Sequence, residues 1–172
     1  SNYIIAGKMN GSSFMMVDRI KDLNYTDIEE TDTNILNIEN YCIGFCGISG
    51  GYGSSDKKST IDTEVIRNLI IKNLNNVIDY DFICTVCKEY ENLKINLNYD
   101  ADYNTILINL CLYVLDKDKD EICRYTLFFN TSGKNNVAIL NEVVCDKLLD
   151  GQYCMKYYRI YNISYVEQNT HF

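Results

Sequence analysis

A serine, Ser1, stands first in the numbered chain. An acid, Asp18, follows the second apolar segment, and glycines gather at Gly44, Gly47, Gly50 and Gly51. That ordering could turn a chain terminus into a catalytic group. Each part also has a plainer reading: Asp18 as a turn residue, and the glycines as the service of tight backbone turns. The glycine spacing fits neither the G-x-G-x-x-G pattern nor a P-loop, so a nucleotide site is the weaker reading of the cluster.

A second chemistry could lie in Cys84 and Cys87, whose C-x-x-C spacing suits a metal or a redox pair. No other cysteine pair has that spacing, and the only histidine is His171. The remaining cysteines are Cys42, Cys46, Cys111, Cys123, Cys145 and Cys154. Most lie in apolar runs, such as Cys111 within ILINLCLYVL, where cysteine acts as a small hydrophobe. The chain is too long and too hydrophobic for a small stapled scaffold, so reduced core thiols in an intracellular protein are the preferred reading.

These residues need elements to position them. Residues 3–9 and 13–20 predict a hairpin turning at Asn10–Gly11, a dipeptide that tolerates positive φ at both turn centres. Residues 22–33 are polar and acidic and predict an exposed loop or a short excursion. Residues 34–38 and 41–48 predict a second hairpin, turning at Glu39–Asn40. Residues 50–59 read as a loop, and either Thr60 or Asp62 could cap the helix that follows. From residue 62 to 77, Val65, Ile66, Leu69, Ile70, Leu74 and Val77 recur at helical spacing. A second helix is predicted over 81–93, with Phe82, Val86, Tyr90 and Leu93 on one face.

The long apolar strand 104–115, a charged turn at 116–121 and the strand 122–130 predict the clearest hairpin in the chain. Ser132–Gly133 predicts a turn, 137–140 a short strand, and 142–149 a short helix ending at Gly151. Residues 155–166 predict a closing strand with alternating aromatics. Tyr153, Tyr157, Tyr158, Tyr161 and Tyr165 could form an interaction surface, or more simply one face of a strand packed on the core. Hairpins, then consecutive helices, then hairpins indicate α+β with layered antiparallel sheets.

The chain has 172 residues, which suits a single α+β domain over 1–172. Acids and bases are interleaved, the net charge is −8, and no basic stripe exists, so nucleic-acid binding is excluded. Nearly half the residues are hydrophobic, yet no apolar run is long enough for a membrane span. No basic leader followed by a short apolar stretch is visible, and the expected setting is cytoplasmic. No cofactor is expected. Proline and tryptophan are absent, while Asn, Ile, Lys and Tyr abound, as an AT-rich coding sequence would produce. The abundance of Asn and Tyr is therefore not read as function.

The N-terminal third resembles the N-terminal nucleophile hydrolases, in particular proteasome β-type subunits and the peptidase subunit of the bacterial two-component ATP-dependent protease. Those proteins begin with Thr or Ser, a strand, a glycine-bearing turn and a second strand ending in an apolar-Asp pattern. A later strand ends in G-x-x-G. The matching residues are Ser1, NYIIAGKMNG, FMMVDR with Asp18, and GFCG with Gly44 and Gly47. In motif the likeness covers residues 1–51. In order of elements it extends through the helix pair and the long hairpin.

The resemblance implies a four-layer αββα sandwich of antiparallel sheets. It also implies that Ser1 would supply both the nucleophile and, through its α-amine, the base. An α-amine with an ordinary pKa near 8 is partly neutral at physiological pH. Asp18 would orient the site electrostatically, and the backbone N–H of Gly47 would lie in the oxyanion hole. The family also carries a lysine just before the strand corresponding to 34–38. Residues 29–34 here read EETDTN and contain none, leaving Lys8 or Lys21 as substitutes. Ser132–Gly133 is the nearest match to the family's later Ser-Gly element.

The leading expectation is a proteasome β-like subunit hydrolysing peptide amide bonds through Ser1. The missing lysine supports a second expectation, a catalytically inactive homologue acting as an assembly or binding subunit. A third is an unrelated α+β protein-interaction domain. The partners expected are further copies of the chain or other proteins, with a peptide as substrate if the site is active.

Overall fold

The computed structural model describes residues 2–22, 28–30, 34–46, 63–93, 107–131, 138–159 and 164–171. The chain opens with β1 (Asn2–Met9) and β2 (Ser12–Val17), paired antiparallel as the sequence predicts. Asn10 and Gly11 both take positive φ, 52° and 77°, which is the turn whose twist matches the flanking strands. Two short strands, β3 (Ile20–Asp22) and β4 (Ile28–Glu30), then pair with each other. The acidic stretch predicted as a loop therefore contains a small ladder of its own. Next come β5 (Ile35–Asn37) and β6 (Tyr41–Cys46), closed by reciprocal backbone hydrogen bonds between Ile38 and Tyr41.

Helix α1 (Thr63–Lys72) buries Ile66, Leu69 and Ile70. It stops well short of residue 77, because Asn73 breaks the pattern: its side-chain amide donates to the Leu69 carbonyl at 2.8 Å. Asn75 then accepts from the Val77 N–H, a turn in its own right. Leu74 and Val77, read as core-facing from their spacing, are exposed.

Helix α2 (Tyr80–Asn92) begins where Asp79 caps it, the Asp79 carboxylate accepting from the Phe82 N–H at 2.9 Å. Its buried face is Phe82, Ile83, Val86, Cys87 and Tyr90. Glu89 binds Lys72 and Asn73, which ties the two helices together. Asp79→Ala is expected to cost about 1 kcal/mol, read as a fall in the urea midpoint with an unchanged slope.

Two long strands follow, β7 (Leu107–Asp116) and β8 (Glu121–Thr131), then β9 (Ala138–Leu148). Here the sequence reading of a helix over 142–149 fails: 142–148 is strand. A bulge at Asn141 puts Leu140 opposite Phe129 and Val143 opposite Leu127, so both face the same side at a helix-like spacing. Gly151, at φ 84°, turns the chain from one sheet to the other instead of capping a helix. The chain finishes as a hairpin, β10 (Gln152–Arg159) and β11 (Ser164–His171), where a single strand is predicted.

The strands build a four-stranded sheet in the order β11-β10-β1-β2 and a five-stranded sheet in the order β5-β6-β7-β8-β9. All pairings are antiparallel, so the α+β class with antiparallel sheets holds. The sheets pack face to face. A Cβ on Gly44 of β6 would lie 2.5 Å from Ile4 Cδ1 and 2.6 Å from Met15 Sδ on the opposite sheet. On the other face of the five-stranded sheet, the Tyr90 ring of α2 meets the Phe129 ring of β8, centroids 5.1 Å apart. The described residues thus form three layers: helix pair, five-stranded sheet, four-stranded sheet.

Candidate functional site

The sequence-derived site has three members, Ser1, Asp18 and Gly47. Ser1 and Gly47 lie outside the described residues, as do Gly50, Gly51 and Ser132–Gly133. Asp18 is described, and its placement is informative. It directly follows β2, and its N–H donates to the Tyr3 carbonyl at 3.0 Å, which holds it beside the beginning of β1.

Asn34 completes the arrangement. It is the one buried polar residue among those described, 1% exposed, and it immediately precedes β5. Its side-chain amide donates to the Asp18 carbonyl at 3.1 Å and to the Asp18 carboxylate at 3.3 Å. Its own carbonyl accepts from the Phe45 N–H at 2.9 Å. A continuous series of hydrogen bonds therefore runs Tyr3, Asp18, Asn34, Phe45. It links the start of β1 to the end of β6 and joins the two sheets at one end of the sandwich.

Asn34 occupies the sequence position, just before a strand, where the resemblance calls for a lysine. An amide can orient a carboxylate, but it supplies no charge. Of the two proposed substitutes, Lys8 does not take over that role. Lys8 sits at the far end of β1, where its ammonium donates to the Asp120 carbonyl at 2.9 Å. Lys21 lies in β3 opposite Glu29. Asn34 went unrecognised in the sequence, although its place directly before residues 35–37 was the available signal.

The opposite end of the sandwich is closed by a different device. Asp120, itself at positive φ, accepts at its carboxylate from the Ser13 N–H and at its carbonyl from the Ser13 hydroxyl. The Ser13 hydrogen bonds and nearby Lys8 hold the Asp120 carboxyl below its usual range. Between the sheets, Arg124 donates to Asp146 at 3.1 Å and to Cys154 Sγ at 3.4 Å. The part-buried contact to Cys154 crosses from one sheet to the other.

All eight cysteines are free. Cys84 and Cys87 share helix α2, and burial pushes the Cys87 thiol up to about 12, the reverse of an activated redox thiol. His171 is in β11, in the other sheet, so it does not complete a metal set with them. Among the described residues no cluster of three or more His, Cys, Asp or Glu is arranged to hold a metal. No described helix is long and apolar enough to cross a membrane.

Of the tyrosines flagged in the sequence, Tyr157 pairs in register with Tyr3 and Tyr158 with Tyr165, while Tyr161 lies outside the described residues. No protein-family model, curated protein or solved structure matches the chain.

Proposed function

We propose that the chain is a subunit of the N-terminal nucleophile hydrolase type, proteasome β-like in scaffold, that works by assembly and binding without amide hydrolysis. The observation that carries this reading is the Asn34–Asp18 contact. In the family's chemistry a free α-amine must be neutral to accept a proton. A neutral amide where the family carries a lysine adds no positive charge to hold the amine's pKa down, which favours the protonated amine and weakens it as a base. The proposed setting is the cytoplasm, and the proposed architecture is the family's αββα sandwich. Two sheets packed face to face with a helix pair on one outer face support that architecture.

A second reading, peptide hydrolysis through Ser1, is favoured by the Asp18–Tyr3 hydrogen bond, which places the acid near the start of β1. One experiment separates the two. The naturally processed protein is treated with a β-lactone or epoxyketone electrophile and mapped by mass spectrometry. No adduct on Ser1 is expected, whereas Asn34→Lys is expected to raise labelling on the order of a hundredfold. An adduct on the unaltered protein refutes the silent reading and supports the peptidase. Native mass spectrometry tests assembly independently: a ring of several protomers is expected, and a persistent monomer overturns the assembly role.

A further inference from the structure

Cys123 and Cys145 stand on adjacent strands of the five-stranded sheet, on the face that also carries Tyr125 and Lys147. In register Cys123 pairs with Lys147 and Tyr125 with Cys145, so the two cysteines are diagonal neighbours. Sheet twist brings one diagonal of an antiparallel pair close and separates the other. The close one is identified by the preceding pair along the same strands: Glu121 and Lys147, in the same diagonal relation, meet at 2.9 Å. Neighbouring Cys145 adds to burial in pushing up both the Cys123 thiol and the Tyr125 hydroxyl. Cys145 is exposed and Cys123 half-buried, so one thiol of the pair meets solvent while the other is sheltered behind it.

We propose that Cys123 and Cys145 form a redox-sensitive dithiol that closes to a disulfide across β8 and β9 when a hydroperoxide reaches Cys145. The sulfur of Cys145 attacks the peroxide O–O bond and becomes a sulfenic acid, releasing water or an alcohol. The sulfur of Cys123 then attacks that of Cys145: the S–O bond breaks, the S–S bond forms and a water leaves with the thiol proton. Two thiols have lost two electrons, and the peroxide has gained them. Burial pushes the Cys123 thiol up to about 11, which makes it the less ready of the two to meet a peroxide first. The closed form fastens β9 to β8, its one sheet neighbour among the described residues.

This inference does not depend on the proposed assembly role. The test treats the native protein with hydrogen peroxide, blocks residual thiols and digests with trypsin without reductant. Cleavage after Lys119, Arg124, Lys134 and Lys147 yields peptides 120–124 and 135–147, each holding one cysteine of the pair. The expected product is these two joined, lighter by two hydrogens than their sum. Cys123→Ser should abolish the link and leave Cys145 oxidised to sulfenic or sulfinic acid. Cys145 oxidised to sulfinic acid in the wild-type chain, or joined to a second molecule, overturns the proposal. A measurement on unmutated protein covers a variant that fails to fold. Phenylarsine oxide, which bridges close thiols, is expected to remove both from later alkylation at once. Continued alkylation of either one contradicts the proposal.

Discussion

Gly7→Ala is expected to destabilise the protein by upwards of about 3 kcal/mol, lowering Tm by about 6–12 °C. A Cβ at this position would lie 2.5 Å from the Gln152 carbonyl oxygen, 2.5 Å from Tyr153 Cβ and 2.7 Å from Tyr153 Cα. Two of these obstacles are backbone atoms and the third is fixed to backbone, so no side-chain rotation relieves the clash. The β1–β10 ladder itself must open, at the register pair Gly7 and Tyr153.

Gly44 and Gly11 are the internal controls. At Gly44 the nearest atoms are the ends of Ile4 and Met15, which can swing aside, so Gly44→Ala is expected to cost less, about 1–2 kcal/mol. At Gly11 there is open space but a φ of 77°, so the cost is that of the left-handed backbone alone, about 1 kcal/mol. Urea unfolding of the three variants should rank them in that order. If Gly7→Ala is no worse than Gly11→Ala, the close approach of β1 and β10 is wrong.

Phe129→Ala is expected to cost about 3–5 kcal/mol, the range for emptying a large aromatic site in a packed interior. Phe129 is fully buried, and its ring meets Tyr90 at a 55° tilt. That pairing contributes about 0.5–1.5 kcal/mol beyond the area it covers. The loss should fall unevenly. Phe129 seats α2 on the five-stranded sheet, so amide hydrogen exchange in α2 should quicken more than exchange in the β1–β2 hairpin. Phe129→Leu, which keeps much of the volume, should cost clearly less. Equal acceleration everywhere would mean that α2 does not rest on this contact.

The legible parts of the fold were those with a local cause. Asn10–Gly11 announces its hairpin because few other pairs accept two positive φ values. Helix α2 declares itself through its apolar stripe. The unreadable parts had causes distant in sequence. The bulge at Asn141 is defined by the partner strand β8, and it converts a strand's alternation into something that mimics a helix. The join between β10 and β11, residues 160–163, reads IYNI, with neither glycine nor proline to mark a turn.

The candidate site divides the same way. Asp18 was legible from its strand-ending position. Asn34 was not, because its meaning depends on a carboxylate sixteen residues earlier that only folding brings to its side chain. A polar residue in an acidic, Asn-rich chain gives no hint of being buried. What marked it was its place before β5.

The position of β1 inside its sheet has a consequence for how the protein is made. Asn2 to Lys8 find their partners between Gln152 and Tyr158, the longest sequence separation of any ladder among the described residues. During synthesis the β1–β2 hairpin must therefore wait, with one row of amides and carbonyls unsatisfied, until β10 has been translated. At about 5–20 residues per second that interval is roughly 7–30 s. Through it, Ile4 and Ala6 lack the neighbours that later enclose them, which makes this stretch a natural client for a nascent-chain chaperone.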